Sequence, residues 1–191
     1  MYLLSLSAGF GFVAHDDGLP TIMMFVMAIA RTNDVWSIDE RLAPREVTAS
    51  SEYTWPIVLA KVLLALVFCA AGIAKLRAAG FAWATSDNLQ MSLVRHHLSH
   101  EPMLELGLTI AQSPLASKAL GVTTLVLETL ALLALWRPLR WLMLGLFGMQ
   151  LGIGLLIDVW FELYLGLYLF WIDWERLLRR APVDAASGPP A

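Results

Sequence analysis

"WPIVLAKVLLALVFCAAGIAKLRAAGFAW", residues 55–83, decides the fold class. From Trp55 to Ala74 it is apolar apart from Lys61. At 1.5 Å per residue, about 20 residues of helix cover the ~30 Å hydrocarbon core of a bilayer. The run turns cationic at Lys75 and Arg77, where such a helix should leave lipid. Lys75 has two readings there. It is either an anchor, with its stem in the apolar zone and its ammonium in water, or a chemical group held in a site. Lys61 precedes it on nearly the same helical face.

Composition points the same way. The chain is 58% hydrophobic and 15% charged, where a soluble domain carries roughly 25% charged residues. Its 191 residues suit one domain, read as 1–180, with "APVDAASGPPA" (181–191) a tail of disordered composition. A formal net charge of −3 with no basic face argues against nucleic acid; the expected partners are the lipid bilayer and other membrane protein subunits. A single cysteine, Cys69, excludes an internal disulfide and a thiolate metal cluster. The first residues lack a basic stretch before their apolar run, so no cleaved signal peptide is expected. The expected location is a bacterial inner membrane.

Elsewhere the pattern is mixed. Leu3 to Ala14 and Leu19 to Ala30 are apolar segments too short to cross upright, hence tilted helices or a re-entrant pair. Leu89, Leu93 and His97, then Met103, Leu106 and Ile110, recur at helical spacing on either side of Pro102. They read as two short amphipathic helices at the interface. Ala119 to Trp136 and Trp141 to Ile157 read as further spans joined by "WRPLR". Residues 158–172 stay apolar except for Glu162 and lead into the basic "DWERLLRR". The expectation is an all-α integral membrane bundle of about four to six transmembrane or re-entrant helices, with short interfacial helices. If the last segment spans, Arg137 and Arg140 share a side with Arg176, Arg179 and Arg180, and that side is cytoplasmic.

Ionisable groups inside spans cost ~2.5–3.5 kcal/mol at mid-helix on insertion scales, so each needs a partner or a purpose. Glu128 and Gln150 flank the 137–140 connection at similar distances. Counting along ideal helices sets them at one depth, where a protonated Glu128 bonded to Gln150 satisfies both. The other reading has Glu128 lining a polar cavity or handling protons. Asp158 falls near the same surface as Lys75, where an ion pair is open to it. Gly148 and Gly152 form a G-x-x-x-G pair, with Gly145 and Gly154 close by, read as close helix packing. His96 and His100 share i, i+4 spacing without a zinc motif, and no metal is expected.

"AGIAKL" (71–76), followed by an aromatic pair ending in Trp83, resembles the lysine segment of the HTTM (horizontally transferred transmembrane) family, related to vitamin K-dependent gamma-carboxylase. "TNDVWSID" (32–39) resembles that family's W-S-x-D segment, and Glu128 before an aliphatic run and a basic turn is a looser third match. The resemblance implies a quinone or hydroquinone as cofactor, with Lys75 as the base that deprotonates it. It implies a pocket shaped by Asn33, Asp34, Trp36, Ser37 and Asp39, capped by Trp83, with Glu128 and Gln150 contributing. A full crossing by residues 55–74 starts Asp39 and Lys75 on opposite sides, so 32–53 would have to dip back. Asp34 stands where the carboxylase has a histidine, and another family histidine falls near Gln150; glutamyl carboxylation is therefore not expected. The G-x-x-K-L run is also similar to the DoxX/MauE group of small redox-linked membrane proteins. A third class, a non-catalytic accessory subunit of a larger membrane complex, needs no chemistry from this chain.

Overall fold

The computed structural model describes residues 18–31, 38, 42, 50–99, 105–157, 159–174 and 177. Among them the regular structure is helical, without strands. Eight α-helices follow in order: α1 (Gly18–Ile29), α2 (Ser51–Ala79), α3 (Ala82–Thr85), α4 (Asn88–Ser99), α5 (Leu106–Ala111), α6 (Pro114–Thr129), α7 (Leu142–Ile157) and α8 (Glu162–Leu167). Three 3₁₀ turns cover Ala131–Leu135, Arg137–Leu139 and Tyr168–Trp171.

The central element is α2, of 29 residues. Ser50, in extended backbone, opens it by accepting the Glu52 amide at its side chain, which satisfies one of the free donors of the first turn. Gly80 closes it with φ at +58°, a conformation glycine tolerates without a Cβ clash. Its N–H bonds the Leu76 carbonyl at 2.8 Å. The turn then sends the chain into α3, which carries Trp83.

One expected span is corrected. The run Ala119 to Trp136 is not one helix: its α-helical part begins earlier, at Pro114, behind a Ser113 cap, and ends at Thr129. The 3₁₀ turn Ala131–Leu135 continues it. Ala131 and Ala134 are both 0% exposed. Residues three apart eclipse one another in a 3₁₀ helix, so this winding sets both alanines on the face that meets α2. Two stretches remain long and apolar enough to cross a membrane, Ser51–Ala79 and Arg137–Ile157. α1 has only 12 residues, and Leu3 to Ala14 lies outside the described residues.

The 158–172 segment returns alongside α7. Trp160 lies on Gly154, the Tyr168 ring is 5.2 Å from Phe147, and Trp171 and Ile172 share a cavity wall with Arg140. Arg176, Arg179 and Arg180 lie outside the described residues. α4 and α5 form as expected, but they pack on α6 and α7, with Leu93 buried; Pro102 and Met103 fall outside the described residues.

The core gathers Leu64, Phe68 and Cys69 of α2, Leu146 of α7, Tyr164 of α8 and Tyr168 of the last 3₁₀ turn. Around it the long helices stay open: 33% of the apolar window of Ser51–Ala79 and 28% of that of Arg137–Ile157 are buried. A core helix of a water-soluble domain would be buried over most of its surface.

Of the four glycines expected to pack closely, two do: a Cβ on Gly145 would lie 2.9 Å from the Leu127 side chain, and one on Gly154 would lie 2.7 Å from the Trp160 ring. Gly148 and Gly152 have nothing within 4 Å of where a Cβ would stand and instead line an open groove. The tight approach of α2 to α6 is at Gly72, where a Cβ would lie 2.6 Å from the Thr129 amide nitrogen. Gly72→Ala is therefore expected to overpack the α2–α6 contact and destabilise by ~1–3 kcal/mol. Gly148→Ala should be neutral or gain a few tenths of a kcal/mol, on the order of the usual helical preference. Thermal unfolding of the two purified variants checks this; equal melting temperatures would refute the packing described.

Candidate functional site

The site grows from one face of α2. Cys69, Gly72 and Lys75 follow at intervals of three, close enough to a helical turn to share a side. All three meet the C-terminal end of α6. The Cys69 thiol donates to the Thr129 carbonyl at 3.5 Å, one of the last-turn carbonyls a helix leaves without an internal partner. Gly72 admits the Thr129 backbone. One turn on, the Lys75 ammonium reaches Glu128 and donates to both carboxylate oxygens at 2.5 Å. The G-x-x-K spacing thus has a mechanical sense: glycine brings the helices together where lysine must cross the gap.

The two partners are unequally covered. Glu128 is 4% exposed, and the Lys75 side chain is 26% exposed. Trp83, brought back by the Gly80 turn, lies over the ammonium at 4.8 Å from the ring centroid, within cation–π range. Glu128 is thus the inner member of the pair and Lys75 the member that opens outward, under an aromatic ring. An isolated carboxylate so buried would be costly; a paired one with both oxygens engaged is tolerable.

This geometry corrects the expected Glu128–Gln150 bond. Glu128 bonds Lys75, and Gln150, 5% exposed on α7, keeps a buried Oε1 without a partner among the described residues. Depth counting failed because the chain between them does not run as continuous α-helix. The 3₁₀ turns at Ala131–Leu135 and Arg137–Leu139 rise ~2.0 Å per residue at three residues per turn, changing both depth and phase. Asp158, the other expected partner of Lys75, lies outside the described residues, as do Asn33, Asp34, Trp36, Ser37 and Asp39. Trp83 and Glu128 are therefore the expected site residues that the structure brings to Lys75; Gln150 makes no hydrogen bond to any of them. Among the described residues no three His, Cys, Asp or Glu side chains gather to hold a metal; His100 lies outside them.

A second lysine–tryptophan contact was not expected. Lys61 lies over Trp171 at 5.9 Å from the ring centroid. Its signal in the sequence was the shared face of Lys61 and Lys75, which left the aromatic partner unnamed.

The ion pair can be weighed by a double-mutant cycle. Lys75→Met and Glu128→Met should each destabilise the fold, and the double variant should be more stable than the Lys75→Met single, which strands a buried carboxylate. A coupling of ~1–3 kcal/mol is expected, at the low end because Lys75 keeps some contact with solvent. Additive effects would show that the pair is not formed. No family model, curated protein or solved structure matches the chain, so its own residues carry any assignment of function.

Proposed function

We propose that the chain is an integral membrane protein of the HTTM type, in a bacterial inner membrane. It binds a quinone or hydroquinone and manages one proton at a ring oxygen through Lys75 and Glu128. The observation that carries the chemistry is the pair itself: a carboxylate buried between apolar helices and engaged, among the described residues, by a lysine that opens outward beneath Trp83.

The membrane part rests on two long apolar helices that stay about two-thirds uncovered, and on the end of the bundle where Lys61, Arg137 and Arg140 lie. Trp136 and Trp141 are exposed there, flanking the basic 3₁₀ turn, and Trp171 packs under Lys61. Tryptophan at the interface and basic residues beside it are what a bilayer's headgroup zone selects. From Lys61 to Lys75 is about 21 Å of helix, leaving the α2 residues between them for hydrocarbon.

The residues around Lys75 suit a flat aromatic ligand with a carbonyl or phenolic oxygen. Trp83 offers a ring face for stacking, and the ammonium offers hydrogen-bond donors. A bound quinone would supply the redox chemistry. Lys75 meets the ring oxygen and takes or gives a proton there. The Lys75 ammonium first passes a proton to Glu128; the neutral amine so formed then takes the proton of the ring hydroxyl, which restores the ammonium beside the developing negative charge and leaves Glu128 protonated. The base implied by the family resemblance thus becomes a two-member relay, with Glu128 as the proton store.

A second reading, the accessory subunit, is favoured by the open groove along Gly145, Gly148 and Gly152. A DoxX/MauE-like redox protein would use the same lysine. The test is purification from membranes in mild detergent, followed by solvent extraction and mass spectrometry of retained quinone. Near-stoichiometric quinone in the wild type, reduced at least about tenfold (~1.4 kcal/mol) in Lys75→Ala, is the expected result. Retention indifferent to Lys75→Ala, together with a co-purifying complex, would favour the subunit instead.

A further inference from the structure

A cavity of about 480 Å³ opens between α7 and the returning chain, within the ~300–1,000 Å³ range of small-molecule sites. Met143, Leu144, Phe147, Leu165 and Leu169 line its depth, and among the described residues the one charged side chain in its wall is Arg140. Trp171 shares the wall, and the Lys61 ammonium lies over its ring at 5.9 Å from the centroid. Arg140 and Asp173 both act electrostatically on Lys61, so two cations and one acid meet at this corner, which is left net positive. The Arg140 guanidinium carries no hydrogen bond or ion pair among the described residues, its backbone bonding Arg137 and Met143. The cavity is apolar along its length and cationic at one end.

We infer that this cavity is a site for one anionic phospholipid, its phosphate held between Arg140 and Lys61 and an acyl chain laid along Met143, Leu144, Phe147 and Leu169. Charge complementarity selects the occupant. A neutral amphiphile would leave the net positive charge of this corner uncompensated, and a free anion would leave the apolar length unfilled. Basic corners between helices on the cytoplasmic side recognise lipid headgroups in this way. The Tyr168 hydroxyl and the Trp171 indole N–H are also buried in this wall, without hydrogen-bond partners among the described residues. Both are closed to water, so the headgroup is assigned to the two cations alone. The inference rests on the membrane part of the proposed function and not on the chemistry at Lys75.

Native mass spectrometry of the whole protein in detergent, with added phosphatidylglycerol or phosphatidylcholine, tests it. Phosphatidylglycerol should occupy the protein in preference to phosphatidylcholine. Arg140→Gln should weaken it about fivefold, on the order of one basic residue's contribution at an anionic surface, and Arg140→Lys should retain it. Leu144→Trp, at an exposed wall position, should reduce binding by filling the cavity without altering charge. Equal binding of the two lipids, or no response to Arg140→Gln, overturns the site. So does a response to Arg140→Gln but none to Leu144→Trp, which would reduce it to a surface headgroup contact. Displacement of the lipid by inorganic phosphate would make it a free-anion site, and displacement by a quinone a cofactor cavity; either result also overturns it. Membranes washed with alkaline carbonate separate the two failures. Release of the protein would end the membrane reading, whereas retention without lipid preference would end this inference alone.

Discussion

The close approach of α2 and α6 at Gly72 and Thr129, sealed one turn on by Lys75 and Glu128, is the constraint on which the rest depends. A carboxylate at 4% exposure needs its counter-charge at hydrogen-bond distance, and the lysine reaches it only because glycine lets the backbones meet. Such a pair is weak evidence of net stability, since desolvation offsets much of the Coulomb attraction. Its effect is on register: sliding α2 by one turn along α6 would strand Glu128 and drive a side chain into the Thr129 backbone. The same register sets the Ala131–Leu135 turn on α2 and carries the chain toward the Arg137–Leu139 turn and α7. The Gly80 turn completes the site by returning Trp83 over the ammonium.

The second constraint is the solvent around the bundle. Large apolar side chains such as Val58, Leu66, Ile73 and Leu144 point away from the core, and in water this much apolar surface would drive association. In lipid it needs no cover. The two lysines of α2 then fall into a common scheme, each meeting a tryptophan ring, Lys61 toward the basic end and Lys75 toward the opposite one. They differ in their counter-charge. Lys75 is held by a buried carboxylate, whereas Lys61 shares its surroundings with Arg140 and Asp173. On the proposed reading, Lys75 serves as the relay and Lys61 meets an external anion.

Much of this was legible in the sequence, and the failures have identifiable causes. The all-α class and the long helix followed from an uninterrupted apolar run, and its residues 55–74 lie within Ser51–Ala79. Lys75 and Glu128 stood out as charges in apolar surroundings, but their pairing did not. Counting at 1.5 Å per residue assumes α-helix throughout, and the chain changes to 3₁₀ winding directly after Thr129. Nothing in the apolar run "LALLAL" announces that change except the spacing of Ala131 and Ala134. The glycine pair at 148 and 152 matched a packing motif yet faces a groove, because periodicity gives a face and not what covers it. Gly72, which has no glycine four residues away to complete such a motif, carries the close contact of α2 with α6.

The most direct test of the central claim is the infrared difference spectrum of the wild type minus Glu128→Gln, recorded in phospholipid bilayers. The account predicts an ionised-carboxylate band in the wild type, replaced by a protonated-carboxyl band when the same difference is taken in a Lys75→Met background. A protonated-carboxyl band in the wild type, unchanged by Lys75→Met, would contradict it, for Glu128 would then be neutral and Lys75 no more than an anchor.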